Sequence, residues 1–330
     1  MEVGHMTVAV TGASGFVGVN LVRKLVAEGH AVRALDVTAS PHLPPGVEFV
    51  RTDVLDPRSI AAGLAGADTV YHLVAKITLS ERDELAWRLN TEGARNAAEA
   101  ALAAGVRRYV HCSSIHAFDQ YRSKLIDESS VRSENPAMPV YDRSKWAGEQ
   151  EVQAVVRAGL DAVICNPTGV LGPIDHGPSR VNGMLLDAAK GRVPAVLQGG
   201  FDFVDVRDVA EGLVAAAEKG NTGENYLLAG EFIPVLDMFR MAAAAAGRRG
   251  PRIAFPLGMI KPVLPIAERI GNRFGSDLVS AAAIGALETS PRIDRTKAAR
   301  ELGYQPRPMQ ETISDLVAFF VTSGMLSRAR

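Results

Sequence analysis

With only two cysteines in 330 residues, Cys112 and Cys165, the chain has no disulfide scaffold to rest on. Both lie inside apolar, strand-like runs (RYVHCSS and DAVICNP), so they read as buried thiols, and a reducing cytoplasm is the expected setting. Charge of neither sign predominates. Against 36 Lys and Arg stand 37 Asp and Glu, a net charge of −1, which leaves no electrostatic footprint for nucleic acid or an anionic membrane. Long apolar runs are missing as well. None reaches the ~20 residues of a spanning helix, and the most apolar late stretch, 255–266, is interrupted by Pro256, Pro262 and Pro265. The opening MEVGHM lacks a charged segment followed by an apolar one, so no signal peptide is expected and 1–5 reads as a lead-in. No His, Cys or Asp cluster has metal-ligand spacing, so no metal is expected. Repeats and low-complexity tracts are also lacking. What remains is a globular composition, 47% hydrophobic and 22% charged, long enough for one large domain or two intimate ones.

Strand and helix signals alternate through the first two thirds. Short Val-rich runs at 7–12, 31–36, 47–53, 69–75, 108–114 and 161–167 suit strands covered on both faces. Helical patterns at 15–28, 57–65, 84–104 and 141–159 lie between them, with Gly29, Gly66, Gly105 and Gly159 marking their ends. Repeated β-α-β predicts a doubly wound parallel sheet, an α/β fold. After Pro167 the rhythm changes to a Gly- and Pro-rich stretch. A strand at 201–206 and a helix from Arg207 are expected to return to the sheet, with a further strand at 225–230. From Phe232 onward the pattern is helices with proline breaks, ending in an amphipathic helix over 309–320. The expected division is a dinucleotide-binding domain of 6–166 plus about 201–228, and a smaller, mostly helical substrate region of 167–200 and 229–330.

TVAVTGASGFVG (7–18) places Gly12, Gly15 and Gly18 three apart, directly behind an apolar strand and ahead of an amphipathic helix. One such glycine permits a tight turn, one lets backbone approach a pyrophosphate, and one lets helix pack on strand. The helix N-terminus then faces the phosphates. Turns and close packing alone also produce glycine triplets. Asp36, at the end of the second strand and 18 residues after Gly18, stands where a carboxylate can bind an adenosine ribose diol. It would repel a 2′-phosphate, so NAD is expected in preference to NADP; an ordinary strand-end turn is the other use of such a residue. Asp53 has the adenine amino group within its expected range, and Leu73, Val74 and Ala75 end the fourth strand at the same edge.

YDRSK places Tyr141 and Lys145 four apart at a helix start, on one face. An ammonium near a phenol favours phenolate, which makes tyrosine usable as a proton donor or acceptor near neutral pH. His72 reads as a hydrogen-bonded core histidine, and Asn90 as a holder of backbone or water. His116 and Asp119 suit either substrate contact or a structural role.

TGASGFVG, VYHLVA (70–75), NTEGARNAAEAA (90–101), YVHCSS (109–114), YDRSK, NPTGVLGP (166–173), FVDVRDVAEG (203–212) and RTKAARELGYQP (295–306) together resemble the extended short-chain dehydrogenase/reductase superfamily, in its NAD-dependent epimerase/dehydratase branch. The likeness spans nearly the whole chain and implies a Rossmann domain. It also implies catalysis by Ser114, Tyr141 and Lys145, with Ser113 as the alternative serine. The implied NAD site comprises Gly12, Gly15, Phe16, Val17, Gly18, Asp36, Asp53, Val54, Leu73, Val74, Ala75, Tyr141, Lys145 and Pro167. Relatives pair the helices of 84–104 and 141–158 between subunits, so a homodimer is expected.

The resemblance also sorts the reactions. Sugar-nucleotide dehydratases carry an Asp-Glu pair behind the catalytic Ser or Thr; here Ser114 precedes IHAFDQ, which disfavours that dehydration. Sugar-nucleotide epimerases carry diphosphate-clamping arginines at positions that are Phe201 and Ile284 here, with Arg180, Arg207 and Arg292 as stand-ins, and Asn166 takes the place of an arginine common in the family. The likeness is greatest to dihydroflavonol-reductase-like and hopanoid-associated members. It implies hydride transfer between nicotinamide and a secondary alcohol or ketone of an apolar, cyclic small molecule. An NAD-retaining sugar epimerase is the alternative, a non-catalytic dinucleotide sensor the remote one. A membrane-surface role for 255–274 competes with plain core packing.

Overall fold

The computed structural model describes residues 7–78, 80–260, 287 and 289–327. Seven strands form the central sheet: β1 (Thr7–Thr11), β2 (Ala31–Asp36), β3 (Glu48–Arg51), β4 (Thr69–His72), β5 (Arg108–Cys112), β6 (Ala162–Pro167) and β7 (Asn225–Leu228). Their order is β7-β6-β5-β4-β1-β2-β3 and every pairing is parallel. All the expected strands are there. Several stop short of their apolar runs because the chain leaves the sheet at its carboxyl edge, where β1 gives way to the glycine turn. Strand order reverses between β1 and β4, so successive crossovers diverge and open a crevice above the strand ends.

Alternation along β1 decides which helices cover which face. Val8 and Val10 join Leu21, Val22 and Leu25 of α1 (Phe16–Ala27) and Leu213 of α7 (Val206–Lys219). Ala9 points the other way, into a core with Ile60 and Leu64 of α2 (Pro57–Leu64), the alanines of α4 (Glu92–Ala103), and Val152 and Val155 of α5 (Val140–Arg157).

The helix expected over 84–104 is two helices, α3 (Glu84–Asn90) and α4. Between them Thr91 departs from ideal helical geometry (φ −112°, ψ −69°), and the Trp87 carbonyl accepts both its backbone N–H at 3.0 Å and its hydroxyl at 2.8 Å. The break sets the Asn90 carbonyl against α5. A Cβ on Gly148 would stand 2.1 Å from that oxygen, so only glycine lets the two segments touch.

The strand expected to return to the central sheet does not. Gly200–Asp205 lies in the middle of a separate three-stranded sheet, parallel to Gly169–Leu171 and antiparallel to Glu231–Pro234. Its inward residues explain this: Phe203 packs with Leu171, Ile233, Leu185 of α6 (Arg180–Ala189), Phe239, and Ile313 and Phe320 of the last helix, a second core away from the first. The chain rejoins the main body with α7, which follows, and then with β7. The outer region is otherwise mostly helical, as expected, and adds two short parallel pairs, Ala195–Leu197 with Ile253–Phe255 and Leu125–Ile126 with Arg292–Ile293. Runs of two or three residues carry no readable period. Ile284 and most of 255–274 lie outside the described residues.

Candidate active site

The three glycines differ in what crowds them. Gly12 has φ +70°, and a Cβ there would come within 3.0 Å of the Val74 nitrogen, so it makes the turn against the end of β4. Gly18 sits so close to the turn that a Cβ would stand 2.1 Å from the Gly12 carbonyl oxygen. Gly15, the residue capping α1, meets only that oxygen, at 3.3 Å. It therefore keeps its outward side clear, which is what a pyrophosphate lying over the helix end requires. The first-turn N–H groups of Phe16 and Val17 have no intrahelical acceptor, and α1 has no side-chain cap. This cradle fits a dinucleotide diphosphate.

Asp36 ends β2 beside the cradle. Its carboxylate accepts from Ser14 N at 3.0 Å and Val37 N at 2.7 Å, one bond per oxygen, which leaves lone pairs for a diol. Asp53 is exposed and closes its own turn by accepting from Leu55 N at 2.9 Å. Val54 is buried and is held through its carbonyl by Asn96 at 3.0 Å. Leu73 continues β4 by donating to the Thr11 carbonyl at 3.1 Å, Val74 and Ala75 follow it along the crevice, and Pro167 ends β6.

Across the crevice, α5 begins at Val140 and places Tyr141 on its first turn. The phenol lies by Ser114, just beyond β5, and the serine hydroxyl favours the phenolate. The Ser113 hydroxyl, one residue earlier, is buried without a hydrogen-bond partner. Lys145, one turn on, is 2% exposed, and its Nζ donates to the Cys112 carbonyl at 3.1 Å. Burial pushes the phenol of Tyr141 up, the Ser114 hydroxyl draws it back, and the Cys112 and Asp142 charges add to the rise. Burial also lowers Lys145 itself, against the support of Cys112 and Glu149.

A polar network that the sequence did not suggest lies behind these groups. Glu149, fully buried, accepts from Asn166 at 2.6 Å, Asn225 at 3.0 Å and Arg132 at 3.2 Å. Asn166 also donates to the Ser114 carbonyl at 2.9 Å. The Arg132 guanidinium lies over the Phe118 ring at 3.8 Å. Asn166 thus shares the Glu149 carboxylate with a guanidinium from another segment. Asn90 holds the backbone of Lys76 from both sides and donates to the Ser144 hydroxyl at 2.9 Å. His72 is fully buried and bonded to Thr11 at 2.8 Å.

Of the arginines considered as diphosphate clamps, Arg207 is committed elsewhere, to Asp205 at 2.6 Å and Asp315 at 2.7 Å. Arg292 lies over the Phe232 ring at 5.9 Å. His116, by contrast, turns toward the site. Its Nδ1 meets Asp142 at 2.8 Å, and its ring stands edge-on to that of Tyr141, centroids 5.3 Å apart. The signal for this pair was legible in principle, since Asp142 lies inside YDRSK. Among the described residues no group of three or more His, Cys, Asp or Glu could hold a metal, and no helix is long and apolar enough to cross a membrane.

Residues 8–229 match the NAD dependent epimerase/dehydratase family. The chain is 35% identical to sterol demethylase protein B of Methylococcus capsulatus, over 97% of its own length and all of that protein's. It is 30% identical to a putative dihydroflavonol 4-reductase of Synechocystis, over 98% of both chains. Among solved structures it is similar to gox2253, with a TM-score of 0.85, 35% identity, and coverage of 98% of this chain and all of the other.

Proposed function

This chain belongs to the NAD dependent epimerase/dehydratase family of extended short-chain dehydrogenases/reductases, and on that premise we propose that it oxidises a secondary alcohol of an apolar, cyclic molecule of sterol type, or reduces the matching ketone. The observation that carries the reading is the grouping of Ser114, Tyr141 and Lys145 by the crevice, with the phenol beside the serine and the ammonium one turn behind it. Similarity to proteins named sterol demethylase and dihydroflavonol reductase supports the substrate class.

In this reading the glycine turn, Phe16 and Val17 hold the diphosphate, Asp36 takes the adenosine ribose, and Lys145 takes the nicotinamide ribose. Asp53, Val54, Leu73, Val74, Ala75 and Pro167 line the remainder of the cofactor site. When bound, NAD supplies the hydride acceptor or donor. Ser114 orients the substrate oxygen, and Tyr141 moves the proton at its Oη. Oxidation takes the alcohol proton onto Tyr141 as the carbinol hydrogen leaves with its electron pair; reduction runs in reverse. Residues 6–166 with 201–228 serve the cofactor, and 167–200 with 229–330 shape the substrate side. The buried free thiols support a cytoplasmic setting. The small residues of α4 and α5 support a homodimer, which light scattering showing only monomer would reject.

The test is to incubate the protein with NAD and a panel of hydroxysteroids, other cyclic alcohols and UDP-sugars while following NADH absorbance. NADH formed with hydroxysteroids supports the reading. UDP-sugar conversion without net NADH replaces it with epimerisation, a reaction for which Arg207 offers no clamp, and dinucleotide binding without turnover replaces it with a sensor.

A further inference from the structure

Tyr141 has a second proton-carrying group for a neighbour. His116 lies on the 3-10 turn Ile115–Ala117, directly behind Ser114, which caps that turn by accepting from His116 N at 3.2 Å. Its Nδ1 is taken by Asp142 at 2.8 Å; the Asp142 side chain is 5% exposed, that of His116 39%. A buried carboxylate behind a part-exposed imidazole fixes the proton on Nδ1 and turns Nε2 outward. A cavity of about 370 Å³ is lined in part by Asp119, Tyr121 and Arg122, which follow His116 in the chain, and by Asn135, Met138 and Pro139, which precede Tyr141. Among the described residues the groups set against the imidazole are Asp142 and Tyr141 from α5; Asp119, Tyr121 and Arg122 lie on the loop that follows the turn, where Arg122 is paired with Asp119 at 3.5 Å. Burial opposes charging His116, but the Asp142 charge and hydrogen bond outweigh it and raise the imidazole pKa.

We propose that His116, backed by Asp142, is a catalytic acid/base in its own right and exchanges protons at the carbon next to the substrate carbonyl. The proposal rests on the alcohol/ketone reading above. The Nε2 lone pair takes a proton from the α carbon. The C–H electron pair becomes a C=C bond, the carbonyl pair moves onto oxygen, and the resulting enolate oxygen is met by the hydroxyls of Ser114 and Tyr141. The Nε2–H then returns a proton to carbon and the carbonyl re-forms. No oxidant or reductant is consumed. A site with two adjacent proton carriers can therefore enolise the ketone that its hydride step makes.

The experiment incubates the full-length protein with NAD and a saturated 3-ketosteroid in D2O, follows deuterium uptake at the α carbons by mass spectrometry, and separately measures reduction of the same ketone by NADH. Wild-type protein is expected to catalyse uptake, and His116→Gln to lose it by about 100-fold or more while ketone reduction falls less than about tenfold. Asp142→Asn gives a second reading: the acid limb of the exchange profile moves to lower pH, because the imidazole loses the charge that raised it. Reduction without exchange in the wild-type protein, or exchange undiminished in His116→Gln, overturns the inference and leaves the oxidoreductase reading standing. A wild-type protein that neither reduces nor exchanges the ketone overturns both.

Discussion

Lys145 Nζ donates to the carbonyl oxygen of Cys112 at 3.1 Å, tying the second turn of α5 to the end of β5. The ammonium is therefore pre-positioned by the sheet. Two substitutions should separate the roles. Tyr141→Phe keeps this tie and is expected to leave NAD affinity within about twofold while lowering turnover by at least 10²–10⁴-fold. Lys145→Met breaks it and should weaken NAD as well as turnover. Fluorescence titration with NAD beside steady-state rates checks both, and normal turnover in Tyr141→Phe refutes its assignment.

The glycines of the first turn should respond in opposite ways. Gly18→Ala puts a methyl 2.1 Å from the Gly12 carbonyl oxygen and is expected to cost roughly 2–4 kcal/mol of stability. Gly15→Ala meets the same oxygen only at 3.3 Å, so the fold should persist with a nearly unchanged Tm while NAD binding weakens. Thermal melts and NAD titrations of the two variants make the comparison, and equal melting losses would contradict it.

Acid should destabilise the fold through the histidines under the site. His72 is pushed down to about 3 by burial, aided by Lys145, and His111 is lowered by burial with Lys145 and His72 adding to it. Both stay neutral in the native state, whereas in the unfolded chain they charge near 6.5. The unfolded state thus binds more protons below that pH, so the stability conferred is complete above about 6.5 and is lost as pH falls toward 3, by about 1.4 kcal/mol per pH unit for each histidine. Neither ring nitrogen of His111 has a hydrogen-bond partner, so His111→Leu should flatten the decline between pH 6 and 4 by about one histidine's share. Urea unfolding at a series of pH values measures it; identical slopes in the two proteins would count against it.

The buried acid behind Ser114 should behave as part of a unit. Glu149→Leu removes the acceptor for Arg132, Asn166 and Asn225 together and is expected to cost about 3–5 kcal/mol, since a guanidinium is left uncompensated. Arg132→Met leaves the carboxylate two amide donors and should cost less, and the double variant should fall well short of the sum. Denaturant midpoints of the three proteins complete the cycle, and simple additivity would show that the groups act separately.

Much of the fold is legible in the chain because both faces of a parallel sheet are covered. Strands such as TVAVT and AVICNP carry unbroken apolar runs, and glycines mark the helix ends. The break at Thr91 is not legible, since an alanine-rich sequence continues smoothly through it and only the crossing of Gly148 on Asn90 gives it a purpose. Nor is the placement of Gly200–Asp205, whose alternation of Phe201 and Phe203 fits any half-covered strand. At the site, the spacing of Tyr141 and Lys145 foretold one helical face, but not that the lysine would turn to the Cys112 carbonyl. One bond of the Glu149 network spans 76 positions, and no local pattern encodes such a meeting.

The outer sheet takes its three strands from three separate excursions of the chain, at 169–171, 200–205 and 231–234, with α7 and β7 returning to the main body between the last two. No single cut can therefore release it, and a graft from a relative would have to exchange several interleaved stretches at once. Each excursion can nevertheless lengthen or shorten alone while the crevice stays put, so this outer part is open to piecemeal remodelling.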